Sequence, residues 1–164
     1  MISIIVAVSL ENAIGKQGGL LCHLPNDLQH FKQITTGKPV VMGERTFFSL
    51  PRHPLPNRRN IVLTDVPGKT FDGAEVAYSI PEVQNMVKDE PEVFIIGGGM
   101  VYRQFMPLAN KLYITHMKHS WQDADTFFPE IDPGVWKKIS SESHDADDKN
   151  PYPYEFAEYI KQTK

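Results

Sequence analysis

Residues 92–109 constrain this chain more than any other stretch. Glu92-Val93-Phe94-Ile95-Ile96 is a short apolar run, Gly97-Gly98-Gly99 follows, and MVYRQFMPLA completes the segment. A brief apolar run bounded by glycines reads as a strand covered on both faces, and the residues after it have helical character. Strand, glycine turn and helix in succession are the unit of an α/β fold with a parallel sheet. Three glycines let a ligand approach the backbone closely and offer N–H groups to an anion. A tight turn against the sheet explains them equally well. No Gly-Lys-Ser/Thr follows, and the spacing is not the dinucleotide fingerprint of the doubly wound fold, so the turn alone names no ligand.

The rest of the chain repeats the unit. Ile2 to Val8, KPVVMG ending on Gly43, Asn60 to Thr64 and Lys111 to Met117 are further β-rich runs. Glu75 to Tyr78 is a shorter candidate. Helices are predicted from Pro25 to about Thr36, over ERTFFSL, and from the Ser79 cap to about Asp89; Pro25 suits a first helical position and Ser79 an N-cap. From Val135 to Ile160 the chain reads as two antiparallel strands around the acidic turn DADDKN. The expectation is one α/β domain over residues 1–164, with a central mostly parallel sheet, an antiparallel C-terminal edge hairpin and about four flanking helices.

Composition removes several function classes. With 164 residues, 41% of them apolar, one sizeable core is affordable. The net charge of −3 supplies no basic field for nucleic acid or an anionic membrane. Cys22 is the one cysteine, so no intramolecular disulfide forms and a reducing, cytoplasmic setting fits. No apolar run approaches the roughly 18 residues of a membrane span, and MISIIVAVSL lacks the basic start and cleavage signal of a leader.

Within HLPNDLQHFKQI, Leu24, Leu28 and Phe31 recur at helical spacing and predict a buried stripe. Asp27 shares the face of Phe31 and Ile34. A first-turn acid favoured by the helix dipole and an inward-facing functional carboxylate both fit this stretch. Gly43-Glu44-Arg45-Thr46 repeats the strand–glycine–helix arrangement, and two such turns suit a bridging pyrophosphate. Arg58-Arg59 suits carboxylate binding, and equally a solvated surface. The six histidines show no metal-ligand spacing, the aspartates of the acidic turn lack a calcium-loop pattern, and no nucleophile motif is present.

Taken together, Ala7 in the first strand, Ile14-Gly15, LPNDLQHFK, KPVVMG…TF, PLPNRRNIVLT, FIIGGGMVY, LYITH and DTFFP at 125–129 resemble the dihydrofolate reductase family from end to end. The resemblance implies hydride transfer from NADPH to C6 of 7,8-dihydrofolate, with N5 protonated from water, in support of one-carbon and thymidylate metabolism. It implies that Asp27 holds the pterin through N3 and the 2-amino group, with Thr115 in the same network and Tyr102 beside the nicotinamide. Ile5, Ala7, Leu28, Phe31, Leu50, Leu55 and Ile96 would enclose the pterin and aminobenzoyl groups, and Arg58 would pair with the glutamate α-carboxylate. The cofactor positions carried over are Ala7, Ile14, Gly15, Leu20, Gly43, Arg45, Thr46, Leu63, Thr64, Asp65 and Ile96. They continue through Gly97, Gly98, Gly99, Met100, Val101, Tyr102 and Gln104 to Thr126. The Gly97–Gly98 bond would be cis, the 15–23 loop a lid, folate analogues ligands, and the protein a monomer that needs no metal.

Three departures stand out. Cys22 occupies a position usually held by tryptophan, with Leu21 in place of proline before it, so that corner of the pocket should be looser. Altered pH dependence or weaker inhibitor binding is the expected result. Glu44 and Asp65 place two acids near the 2′-phosphate of NADPH, which opens tolerance of NADH. Ala124 replaces a glycine in the segment expected to support the lid. Two rivals remain: the pyrimidine reductase of riboflavin synthesis, and a non-catalytic nucleotide-binding module of the same fold.

Overall fold

The computed structural model describes residues 1–16 and 20–162. Gly18 and Gly19, part of the expected lid, lie outside the described residues. The elements run β1 (Ile2–Val8), β2 (Ala13–Gly15), α1 (Pro25–Thr35), β3 (Val40–Gly43), α2 (Glu44–Ser49), β4 (Asn60–Leu63) and β5 (Glu75–Ala77). They continue α3 (Ile80–Met86), β6 (Val93–Ile95), α4 (Gly99–Phe105), β7 (Lys111–Met117), β8 (Thr126–Phe127), β9 (Trp136–His144) and β10 (Tyr154–Lys161). A 3₁₀ turn, Met106–Leu108, ends α4.

Among the described residues, eight strands form one sheet in the order β5-β4-β3-β6-β1-β7-β10-β9. All neighbours from β5 to β7 are parallel, and β10 runs antiparallel to both β7 and β9. This is the mostly parallel sheet with a C-terminal edge hairpin that the sequence predicts. The inner strands are apolar on both sides because helices cover both faces. On one face Ile4, Val6, Val41, Ile61 and Ile95 pack with Val83 and Val87 near α3 and with Val101, Tyr102 and Phe105 of α4. On the other, Ile5, Val40, Met42, Val62, Phe94 and Ile96 pack with Phe47 of α2 and Phe31 and Ile34 of α1. Fully burying one such side chain stabilises the fold by about 1.5–3 kcal/mol.

Local chemistry sets the helix ends. Ser79 accepts from Glu82 N at 3.2 Å while Glu82 reaches back to Tyr78 N at 3.1 Å, a near capping box. Helix α3 stops at Met86 rather than Asp89, because the chain turns there to bury Val87 and enter β6 through Pro91. The predicted stripe of α1 also needs correcting. Leu24 is buried but precedes the helix, Leu28 is 45% exposed, and Thr35 is the buried residue of α1. The first turn of α1 overhangs a cleft instead of the core, which leaves Leu28 at its rim.

A two-stranded sheet escapes sequence reading altogether. Strand β2 pairs with β8 through Ala13–Phe127 and Gly15–Thr126, and Asp125 N donates to Gly15 O at 3.0 Å. The first residues of the expected lid are therefore held by the DTFFP segment. No helix among the described residues is long and apolar enough to cross a membrane.

Candidate active site

Strand β6 lies between β3 and β1 although it follows β5 in sequence, so the strand order reverses there. Ligands of open α/β sheets bind beyond the carboxyl ends of strands at such a reversal. Val8, Gly43, Ile95 and Met117 end the strands at this place.

Residues Ala7 and Thr115 are register partners on adjacent strands β1 and β7. Thr115, 3% exposed, donates from Oγ1 to Asp27 Oδ1 at 2.5 Å. Burial pushes the Asp27 carboxyl above its ordinary range, and the Thr115 hydrogen bond and His30 oppose that rise. The cleft around Asp27 is lined by Ala7, Ile14, Leu20, Cys22, Leu24 and Leu28, among others. Sequence reasoning did not name Leu24, His23 or Met117 as cleft residues, all three of which line it. Cys22 donates to Met117 Sδ at 3.6 Å, and burial, with Asp27 adding, raises its thiol pKa. A thiol raised in this way is a weak nucleophile.

Ile5 and Ile96 belong to the core cluster on the α1 and α2 face of the sheet, and Phe31, Leu50 and Leu55 pack against it. Asn60, 2% exposed, fixes the loop that carries Leu55 and Arg58. Its amide accepts from Leu55 N at 2.9 Å and donates to Leu55 O and Arg58 O at 3.0 and 2.9 Å. Arg58 donates to Pro56 O and to Thr35 Oγ1 and lies 6.0 Å from the Phe31 ring centre. Arg59 is engaged elsewhere, with Glu75, Glu90 and Met86 O. The two arginines therefore divide: Arg59 braces β5 and α3, and Arg58 ties its own loop to the end of α1.

The two glycine turns meet. Gly43 N donates to Gly97 O at 2.9 Å, and the Gly97–Gly98 bond is cis. Gly97 has φ +125°, a conformation that side chains rarely adopt. A Cβ on Gly99 would lie 2.8 Å from the Thr126 methyl, so α4 begins in contact with β8. Tyr102 is buried beneath the turn and donates to Ile5 O at 2.9 Å; burial raises its pKa further. Thr46 Oγ1 faces Gly98, and Ile14 reaches Gly99. Gly15 pairs with Thr126, and Val101 packs against Gly43. A Cβ at Gly43, Gly97, Gly98 or Gly99 would meet Val101, Tyr102, Thr46 or Thr126, so the close packing of the two turns itself calls for glycine, and the helix N-termini that follow them suit an anion such as a dinucleotide pyrophosphate. Of the remaining expected cofactor positions, Arg45, Met100 and Gln104 are exposed, and exposed Leu20 lines the cleft around Asp27.

Leu63 is the register partner of Gly43, and Thr64 and Asp65 follow it. Glu44 accepts from Thr64 Oγ1 at 2.7 Å and forms an ion pair with Lys69, which lowers its pKa. The acid flagged in the sequence is thus already balanced by a lysine that sequence reading missed. No group of three or more His, Cys, Asp or Glu among the described residues could hold a metal.

One support came from far along the chain. Asp147 Oδ1 accepts from Lys149 N, Asn150 N and Asn150 Nδ2. That turn aims Asn150 Oδ1 at Asn26 N, 3.0 Å away, while Asn26 Nδ2 donates to Tyr154 OH at 2.7 Å. The acidic turn thereby anchors the first turn of α1, one residue before Asp27.

Comparison with known proteins agrees with this geometry. A family model described as "Dihydrofolate reductase" matches residues 1–161. The dihydrofolate reductase of Bacillus subtilis is 45% identical over 161 residues, 98% of this chain and 95% of that protein. A dihydrofolate reductase type 3 of Salmonella typhimurium is 43% identical over 162 residues, 99% of both chains. The solved structure of dihydrofolate reductase from Enterococcus faecalis, complexed with NADP(H) and RAB-propyl, superposes with a TM-score of 0.92 at 36% identity. It covers 99% of this chain and 97% of that one.

Proposed function

The chain belongs to the dihydrofolate reductase family, and from that premise we propose that it reduces 7,8-dihydrofolate to tetrahydrofolate with NADPH. The observation that carries this reading is the Asp27–Thr115 pair at the polar end of an otherwise apolar cleft, beside a glycine cradle. NADPH supplies the hydride when bound. Asp27 takes the N3 and 2-amino group of the pterin, and Thr115 fixes the carboxylate that receives them. The carboxylate orients the ring and favours positive charge on it, which makes C6 a better hydride acceptor as water protonates N5. Ile5, Phe31, Leu50, Leu55 and Ile96 exclude water around the ring and aminobenzoyl group. Arg58 pairs with the glutamate α-carboxylate.

Backbone N–H groups of Glu44 to Thr46 and of the Gly97–Gly99 turn hold the pyrophosphate, Gly43 tying the two turns together through Gly97 O, and Tyr102 supports the nicotinamide side of the turn. Gly15, held by β8, and the stretch from Leu20 to His23, which lines the cleft around Asp27, border the nicotinamide side of the site. The helix-borne carboxylate and the full-length family match favour folate over the pyrimidine of riboflavin synthesis. The chain works as a single cytoplasmic domain and a monomer, with folate analogues as competing ligands.

The test is dihydrofolate-dependent loss of reduced-nicotinamide absorbance, measured with NADPH and NADH side by side. Turnover with a preference for NADPH is the expected result. Cofactor binding without turnover of either would return the protein to a binding module.

A further inference from the structure

Thr35, the last residue of α1, is fully buried, and its hydroxyl bonds in both directions. It donates to Phe31 O at 2.8 Å and accepts from Arg58 Nη1 at 3.0 Å. A second bond, from Arg58 Nε to Pro56 O at 2.8 Å, holds the guanidinium from its own loop. We propose that Thr35 is a positioning residue: its hydroxyl aims Arg58 at the carboxylate of the substrate and so sets the preference for pterins that carry a glutamate over those that do not. This rests on the functional reading of Arg58 given above.

Neither packing nor the path of the loop calls for this hydroxyl. A valine would fill nearly the same volume with no polar atom to satisfy. The main chain already ties the loop to the helix end, Gly37 N donating to Asn57 O at 2.9 Å, and Asn60 fixes the backbone at Leu55 and Arg58. What the Thr35 bond adds is the direction of a long side chain. Because Thr35 gives its proton to Phe31 O, its oxygen faces Arg58 as an acceptor, and the run from Arg58 through Thr35 to Phe31 O has one polarity. Both bonds of Arg58 go to neutral oxygens; among the described residues its Nη2 donates to nothing and no carboxylate pairs with it. A half-buried guanidinium held in this way keeps donors for a carboxylate and has already lost the rotamer freedom that binding would otherwise cost.

The experiment compares 7,8-dihydrofolate with 7,8-dihydropteroate, which has the same ring and aminobenzoyl group but no glutamate, in steady-state assays with NADPH. The readout is the preference, the ratio of kcat/KM for the two substrates. Thr35→Val and Thr35→Ala, which remove the hydroxyl with and without its volume, should each lower that preference about tenfold, through KM for dihydrofolate. Thr35→Ser should keep the parental preference, and in an Arg58→Ala background Thr35→Val should change it no further. Equal losses on both substrates assign Thr35 to packing and overturn the proposal. A parental preference in Thr35→Val, or a Thr35→Ser variant that loses as much as Thr35→Val, overturns it as well. A parent chain without the preference, or an Arg58→Ala variant that retains it, defeats the reading of Arg58 itself, and the proposal with it.

Discussion

The carboxylate of Glu44 stands one residue beyond the Gly43 turn, where an acid would repel a phosphate. Its charge is balanced by Lys69, on the loop after β4, and its second contact is Thr64 Oγ1. The two residues form one unit: Lys69 carries the cation that the position after Gly43 lacks. Lys69→Ala should raise KM for NADPH about tenfold, the loss of one charge-assisted contact of about 1.5 kcal/mol, and leave KM for NADH nearly unchanged. Equal effects on both cofactors, in steady-state assays, would place the 2′-phosphate elsewhere. Sequence made Glu44 legible as a departure. It hid the remedy, because Lys69 lies 25 positions after Glu44, beyond α2 and β4, and no periodicity links them.

Helix α1 is set at both ends by residues from distant segments. Asn150 and Tyr154 grip its first turn through Asn26, and Arg58 bonds Thr35 near its end. Asn150→Ala removes the acceptor for Asn26 N at a site only 2% exposed, which should cost about 1–3 kcal/mol of stability. Because Asp27 is the next residue, KM for dihydrofolate should rise while NADPH affinity holds, a split read by steady-state kinetics and cofactor titration. The helix itself was legible from Pro25 and the apolar spacing. Its anchor was not, since DADDKN reads as a solvated turn until the fold brings it to α1. Strands β2 and β8, of three and two residues, are likewise too short to show a period of two. Only their pairing defines them.

Across the whole molecule, the buried strands and the two glycine turns were readable because parallel strands covered on both faces are apolar without alternation. The C-terminal hairpin carries a different signature, a polar network on its sheet face. Glu155, 7% exposed, meets Lys138, Lys118 and Ser141; burial pushes its carboxyl up, but these partners prevail and hold it at about 2. Its folded pKa lies below the unfolded value of 4.5, so the stability it contributes is complete above that pH and is lost as pH falls toward 2. Denaturant unfolding should show Glu155→Gln less stable than the parent by on the order of 2 kcal/mol at pH 7, with the gap closing toward pH 2. A gap that stays constant with pH would remove the ion-pair explanation.

The most direct measurement is single-turnover hydride transfer from NADPH to dihydrofolate by the parent chain and by Asp27→Asn at pH 7. The account predicts that the variant still binds both ligands but transfers hydride about 10²–10³-fold more slowly, the range for loss of one preorganised electrostatic contact. An Asp27→Asn variant that keeps the parental rate would contradict the role assigned to the Asp27–Thr115 pair.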